Sequence, residues 1–403
     1  MVCYGRQENP FAGWVCMRDH SVSFEFEPPA LRQVGTAVAR VNGINLAQGL
    51  CLLPVPEVVI EGAERAMRSG ENRYSLAQGV SELRDALSER LRRRNRIDCT
   101  SETVLVTSGS TGAFEIVCEA FLRPGDEVIN FIPFYPYHRN TLKRRGAVVR
   151  YVPLRAPTWE FSIEEIRAAI TPKTKFILIT NPGNPTGKVF SRAELEAIAT
   201  VAREADILVV TDEVYEYLTY DGRTHVSVAS LPDMECRTIT MGSYSKTFAI
   251  TGWRIGYLVA PPQYVDLLRT IGDQMFVCPP TPLQHGVAHG IASLGDAFYA
   301  EQLAKYTRKR AVLCDALQKV GLTPNVPQGA YYVIADISAR FPGKTSAEVV
   351  EMMIERARIA AVPASDFLGP EVKNDPSRST FVRFSYSVPD EVLETAAHQL
   401  ALL

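Results

Sequence analysis

Four short stretches of this chain gather residue types that do chemistry. GSYSKTFAITGWRIGY at 242–257 sets Lys246 among hydroxyls and glycines, with Arg254 eight residues on. TDEVY at 211–215 places Asp212 at the end of a very apolar run. A carboxylate buried there needs a cationic partner or several hydrogen-bond donors. SGSTG at 108–112 lies between a strand and a helix, where free amide groups and hydroxyls can cradle a phosphate. NPGNPTG at 181–187 carries two Asn-Pro steps, which force an extended, sharply turning loop. Each stretch has a plain structural explanation: a surface lysine, a helix N-cap, a glycine turn, a rigid turn. Yet all four fall where strands end, the edge at which open α/β sheets bind ligands. Four separate coincidences along one edge are a poor account of the chain. SGSTG matches neither G-x-G-x-x-G nor the P-loop pattern, which disfavours a dinucleotide or ATP site.

The elements that position these residues follow from periodicity. VLV at 104–106, EVINFI, AVVRYV, KFILIT at 175–180, DILVVT at 206–211, RTITM and IGYLVA read as strands. TGAFEIVCEAFL and SRAELEAIATVARE between them read as helices. This alternation predicts an α/β fold with a mostly parallel sheet covered on both faces, ending near residue 290. Upstream, PEVVIEGAERAMRS and SELRDALSERLRRR read as helices. Downstream, a long helix over about 296–319, strands around GLTPNV and GAYYVIADI, and a helix from Asp390 predict a smaller α+β domain.

The bulk numbers narrow the function. A length of 403 residues suggests roughly two to three domains. A net charge of -2 gives no general pull toward nucleic acid or membrane, so small molecules are the expected partners. The cysteines at 3, 16, 51, 99, 118, 236, 278 and 314 form no C-x-x-C pair, which points away from a zinc knuckle or disulfide framework. The first residues, MVCYGRQENPFAGWVCMRDH, lack the apolar core of a signal peptide, and no stretch is long enough to span a bilayer. A reducing, cytoplasmic setting is expected.

The string S-x-S-K-T-F-A-x-T-G-W-R-x-G resembles the lysine signature of class I/II aminotransferases, and N-P-x-N-P-T-G and D-E-V-Y resemble companion motifs in the same order. The resemblance runs from about Ile44 to Tyr386 and is nearest to the subgroup of aspartate, aromatic and kynurenine/glutamine aminotransferases. It implies fold type I, with a large domain built on a seven-stranded sheet, a smaller domain from both chain ends, and a homodimer. The expected division is an N-terminal arm and part of the small domain in 1–48, a cofactor domain in 49–290 and the C-terminal small domain in 291–403. The cofactor it implies is pyridoxal 5'-phosphate, held by Lys246 as a Schiff base. Asp212 would pair with the ring nitrogen, Asn184 and Tyr215 would bond the ring oxygen, and Tyr135 would stack on the ring. Ser110, Thr111, Ser243, Ser245 and Arg254 would hold the phosphate, Ser110 and Thr111 partly through backbone amides. Tyr74 would reach the neighbouring subunit's phosphate. Arg383 in FVRFSYS would grip the substrate α-carboxylate, with Gly49 and Asn184 lining that pocket. The implied reaction moves an amino group from an L-amino acid to a 2-oxo acid.

One stretch departs from the family pattern. Where a Gly-x-Pro-Asp-Phe-type sequence is usual, this chain has GLCLLPVPE at 49–57, with Cys51, Leu52 and Leu53 in place of acidic and aromatic residues. That leaves the cofactor residues intact and suggests a more apolar entrance, with Cys51 as packing. A lyase, cyclase or synthase using the same lysine and aspartate stays open as an alternative, because the outcome depends on which Cα bond stands perpendicular to the ring. A non-catalytic binding module is disfavoured by intact Lys246, Asp212 and Arg383. His285 and His289 lack the Glu of H-E-x-x-H, so no metal is expected there. LRRRNR at 91–96 reads as the cationic end of a helix. Tyr331 and Tyr332 fit either a site border or an ordinary strand.

Overall fold

The computed structural model describes residues 30–369 and 379–403, so the expected arm over residues 1–29 lies outside the described residues. A two-residue strand, β1 (Ile44–Asn45), precedes the main sheet. That sheet contains β2 (Val104–Ser108), β3 (Glu127–Ile132), β4 (Val148–Pro153), β5 (Thr174–Thr180), β6 (Leu208–Asp212), β7 (Thr238–Ser243) and β8 (Ile255–Val259). These are the seven apolar runs read from the sequence. Their order is β2-β8-β7-β6-β5-β3-β4. The strands from β7 to β4 run parallel, while β8 is antiparallel to both neighbours.

Side chains alternate across the sheet and bury both faces. Phe176, Leu178 and Val210 pack with Phe114 and Leu268 of the helices Gly109–Phe121 and Pro262–Phe276. Ile177, Ile179 and Val209 pack with Leu195 and Ile198 of the helix Arg192–Glu204. Burial on both sides is why β5 reads as the nearly unbroken apolar run KFILIT. Ser191 and Glu194 form a reciprocal capping box that starts the helix Arg192–Glu204 at a defined residue.

The smaller sheet has the order β12-β13-β10-β9, with β9 (Thr323–Asn325), β10 (Tyr332–Asp336), β12 (Val362–Pro363) and β13 (Phe381–Ser385) all antiparallel. It packs with the long helix Asp296–Lys319 and the closing helix Asp390–Leu400, both at their expected positions. β1 pairs in parallel with β11 (Ile359–Ala360), which ties the segment before the large sheet to the end of the chain.

The basic run at 91–96 is occupied within the fold. Arg90 and Arg94 lie over the Tyr217 ring at 5.3 and 4.6 Å, Arg92 donates to the Cys99 carbonyl, and Arg93 pairs with Asp296. Among the described residues no helix is long and apolar enough to cross a membrane.

Candidate active site

Strand register builds an anion cradle first. Ser108 pairs with Ile255 and Ser243 with Gly256, so β8 brings the ends of β2 and β7 together. A Cβ on Gly256 would stand 2.4 Å from the Gly109 carbonyl carbon and 2.7 Å from the Ser110 amide nitrogen. Only a glycine lets the strand press against this helix start. Gly109 has φ +68, and a Cβ there would meet Arg254 Nη2 at 2.5 Å. Arg254, itself at φ +59, donates to the Thr251 and Ser108 carbonyls at 2.9 and 3.5 Å. The Ser243 hydroxyl lies 2.8 Å from Ser245 Oγ and 2.9 Å from the Ile255 carbonyl. Ser110 and Thr111 open the helix Gly109–Phe121, whose first amides carry the positive end of its dipole. Amides, hydroxyls and a guanidinium therefore gather where β2, β7 and β8 meet.

Asp212 ends β6, buried at 4% exposure. Its Oδ2 lies 3.1 Å from His138 Nε2, and its Oδ1 receives the Val214 amide at 3.4 Å. That is thin support for a buried carboxylate, which suits one further cationic N–H donor. Tyr135 lies directly before the helix that carries His138, and the two rings meet edge-on at 5.1 Å.

Lys246 stands on the turn after β7, half-buried. Its Nζ donates to the Gly49 carbonyl at 2.9 Å, and it forms no ion pair with any described carboxylate. The same carbonyl receives the Tyr331 hydroxyl at 3.0 Å. A Cβ at Gly49 would fall 2.0 Å from the Tyr332 hydroxyl, so any other residue there would have to displace that ring.

Arg383 sits on β13 at 3% exposure. Its Nη1 donates to Asn184 Oδ1 at 2.9 Å and its Nη2 to the Ala47 carbonyl, while Nε has no partner. The guanidinium lies over the Tyr332 and Phe367 rings at 4.3 and 5.0 Å. An unpartnered buried N–H on a fork-shaped cation is a seat for a carboxylate. The Tyr215 hydroxyl lies 3.0 Å from that of Tyr332, and burial holds the Tyr215 phenol well above its ordinary pKa.

A family model for aminotransferase class I and II matches residues 41–400. The chain belongs to that family. An aromatic-amino-acid aminotransferase 2 of Thermococcus litoralis is 33% identical over 93% of this chain and 95% of its own. An aspartate aminotransferase of Pyrococcus abyssi is 34% identical over 89% of this chain and 90% of its own. Among solved structures, the N-succinyldiaminopimelate aminotransferase of Mycobacterium tuberculosis superimposes with a TM-score of 0.88 at 30% identity, over 93% of this chain and 97% of that one. This aminotransferase is thus a pyridoxal-phosphate-dependent enzyme of fold type I that transfers amino groups between amino acids and 2-oxo acids.

The residues fit that cofactor. A phosphate matches the cradle with its Arg254, a protonated ring nitrogen matches the buried Asp212 carboxylate, and an aldehyde matches the Lys246 amine free of ion pairs. Tyr74 is the expected site residue set apart in this aminotransferase. It is 82% exposed, and its hydroxyl bonds no described residue. Sequence reading missed His138, whose one signal is its place three residues after Tyr135 in PFYPYHRN. Tyr331 and Tyr332 both touch site residues. Cys51 is buried, its Sγ 3.2 Å from the Tyr306 hydroxyl. His289 packs against Gly62, and no cluster of three or more metal-ligating side chains occurs among the described residues.

Proposed function

We propose that this enzyme is a homodimeric aminotransferase whose chemistry is carried by Lys246, Asp212, Tyr215 and Arg383. The observation that carries the reading is that Lys246 and Arg383 reach the same short segment: Lys246 bonds the Gly49 carbonyl and Arg383 the Ala47 carbonyl. An amine and a carboxylate clamp joined by that segment can hold the two ends of one amino acid's reacting centre.

When bound, pyridoxal phosphate supplies a ring that absorbs the negative charge left at Cα after proton removal. Lys246 Nζ would hold the cofactor at rest and, once the substrate's amine displaces it, would take the Cα proton as a base and deliver it to the cofactor's carbon. The Asp212 carboxylate keeps the ring nitrogen protonated by charge pairing. Tyr215 and Asn184 would hold the ring oxygen, and Tyr135 would cover the ring. Ser110, Thr111, Ser243, Ser245 and Arg254 hold the phosphate. Arg383 receives the substrate carboxylate beside Asn184 and Gly49, fixing the Cα–H direction. A cofactor domain over residues 49–290, with the segment before it joined to the C-terminal small domain, is supported by the pairing of β1 with β11. A cytoplasmic location accords with the cysteine usage.

The test is a half-reaction. The holoenzyme is mixed with single amino acids and no 2-oxo acid, and visible absorbance is followed. A stoichiometric loss that a 2-oxo acid restores is expected. Catalytic release of ammonia or of a cyclised product would instead favour the lyase or cyclase reading. In the same assay Arg383→Lys raises KM by roughly a hundredfold, because a lysine cannot form the fork. An unchanged KM would remove Arg383 from the site.

The dimer brings Tyr74 to the partner's phosphate, which accounts for its exposure here. Tyr74→Phe is expected to weaken cofactor retention about tenfold, the loss of one hydrogen bond to a charged group. Hybrid dimers in which one chain keeps Tyr74 retain one tight site of two. A monomer in sedimentation with undiminished cofactor affinity would sink this arrangement.

A further inference from the structure

We infer that Tyr332 is a positioning residue that couples the carboxylate-binding arginine to the tyrosine facing the cofactor. The inference rests on the roles proposed above for Arg383 and Tyr215. Tyr332 is the first residue of β10 and is 2% exposed. Ile334 is the antiparallel partner of Arg383, so Tyr332, two residues earlier, shares a sheet face with it. Its ring lies 4.3 Å from the Arg383 guanidinium carbon, and its hydroxyl 3.0 Å from that of Tyr215. The hydroxyl also fills the space that a Cβ at Gly49 would need. One side chain therefore contacts the substrate clamp, the cofactor-facing phenol and the Gly49 segment.

Proton bookkeeping gives the contact a direction. A phenol carries one proton to donate. If Tyr215 gives its proton to the cofactor's ring oxygen, it can only accept from Tyr332. Tyr332 then donates into Tyr215 and leaves the Tyr215 proton free to point at the ring. The same Tyr332 ring lies over a guanidinium whose Nη1 and Nη2 are engaged by Asn184 and Ala47. A cation held over an aromatic face and by two in-plane acceptors keeps Nε in one direction. Tyr331 adds an edge-on contact with Tyr215 at 5.1 Å that restricts the Tyr215 ring.

Two substitutions separate hydroxyl from ring. Tyr332→Phe removes only the donor, and Tyr332→Leu removes both. The readouts are the pH midpoint of the bound cofactor's visible absorbance and the Kd of α-methyl-L-phenylalanine and α-methyl-L-aspartate. These probes carry the carboxylate but have no Cα proton to lose. A donor aimed at the ring oxygen favours the more anionic, deprotonated form, so weakening it moves the midpoint up.

Tyr332→Phe is expected to raise the midpoint by about half a unit and leave the tighter probe's Kd within about twofold. Tyr332→Leu should raise the midpoint equally and weaken that Kd roughly tenfold. Tyr215→Phe serves as the reference. If it leaves the midpoint unmoved, the reading of Tyr215 fails. If it moves the midpoint and Tyr332→Phe does not, the coupling alone is overturned. An unchanged Kd in Tyr332→Leu overturns the link to Arg383. Thermal midpoints close to the parent's in all three variants exclude a general loss of structure.

Discussion

Lys246→Ala yields a folded protein that shows no visible band from bound pyridoxal phosphate and transfers amino groups about ten-thousandfold more slowly, or worse. Folding survives because the side chain is half-buried and its amine makes one hydrogen bond, to the Gly49 carbonyl. That carbonyl keeps the Tyr331 hydroxyl as a donor, so stability falls by about 1 kcal/mol at most. Chemistry does not survive, since no described carboxylate pairs with Lys246 and no other amine shares its acceptor. The variant should still bind the cofactor weakly through the Arg254 cradle, without the covalent link. Absorbance after dialysis and a single-turnover rate decide the matter. A retained band, or a rate within tenfold of the parent, would mean that another residue does this work.

Asp212→Asn gives a second large effect of a different kind. Asparagine has the same shape and can still meet His138, whose Nε2 lies 3.1 Å from the carboxylate. The fold and the cofactor link should persist. The charge is lost, so the ring nitrogen is no longer held protonated at neutral pH and stabilisation of the reacting carbon drops. The expected fall in rate is roughly a hundredfold to a thousandfold, as for loss of one preorganised electrostatic contact. The sign with pH follows directly. On the role proposed for Asp212, the parent's carboxylate raises the ring nitrogen's affinity for its proton, and the variant's nitrogen would regain a proton only as pH falls. The ratio of variant to parent rate should therefore climb on acidification. A deficit independent of pH would place Asp212 elsewhere in the chemistry.

The sequence made the large sheet readable because its strands are apolar runs, most of them buried on both faces, with the edge strand β4 half exposed, and the helices between them keep a regular apolar period. It also made legible those site residues that lie in local strings, such as Lys246 with Arg254 and Asn184 within NPGNPTG. What it did not reveal is assembled from distant pieces or from backbone. The acceptor of Lys246 is a carbonyl, which no side-chain pattern reports. Arg383 is seated by Ala47, Asn184 and Tyr332, and β12, which pairs beside it, is two residues long and too short for any period. His138 belongs to no motif and gains meaning only when its helix folds against the end of β6. The stretch GLCLLPVPE divides along the same line. Leu50 and Leu52 are 43% and 51% exposed while Cys51 between them is buried, so the segment presents apolar side chains to the surface on either side of a packed cysteine.

The pairing of β1 with β11, and of Arg383 with the Ala47 carbonyl, has a consequence for biosynthesis. A ribosome has already delivered every strand of the large sheet and every cofactor-side group once residue 259 has emerged. The clamp proposed for substrate waits for β13, which begins at Phe381. An unfinished polypeptide thus carries every group proposed to hold its vitamin before it carries the arginine proposed to recognise an amino acid.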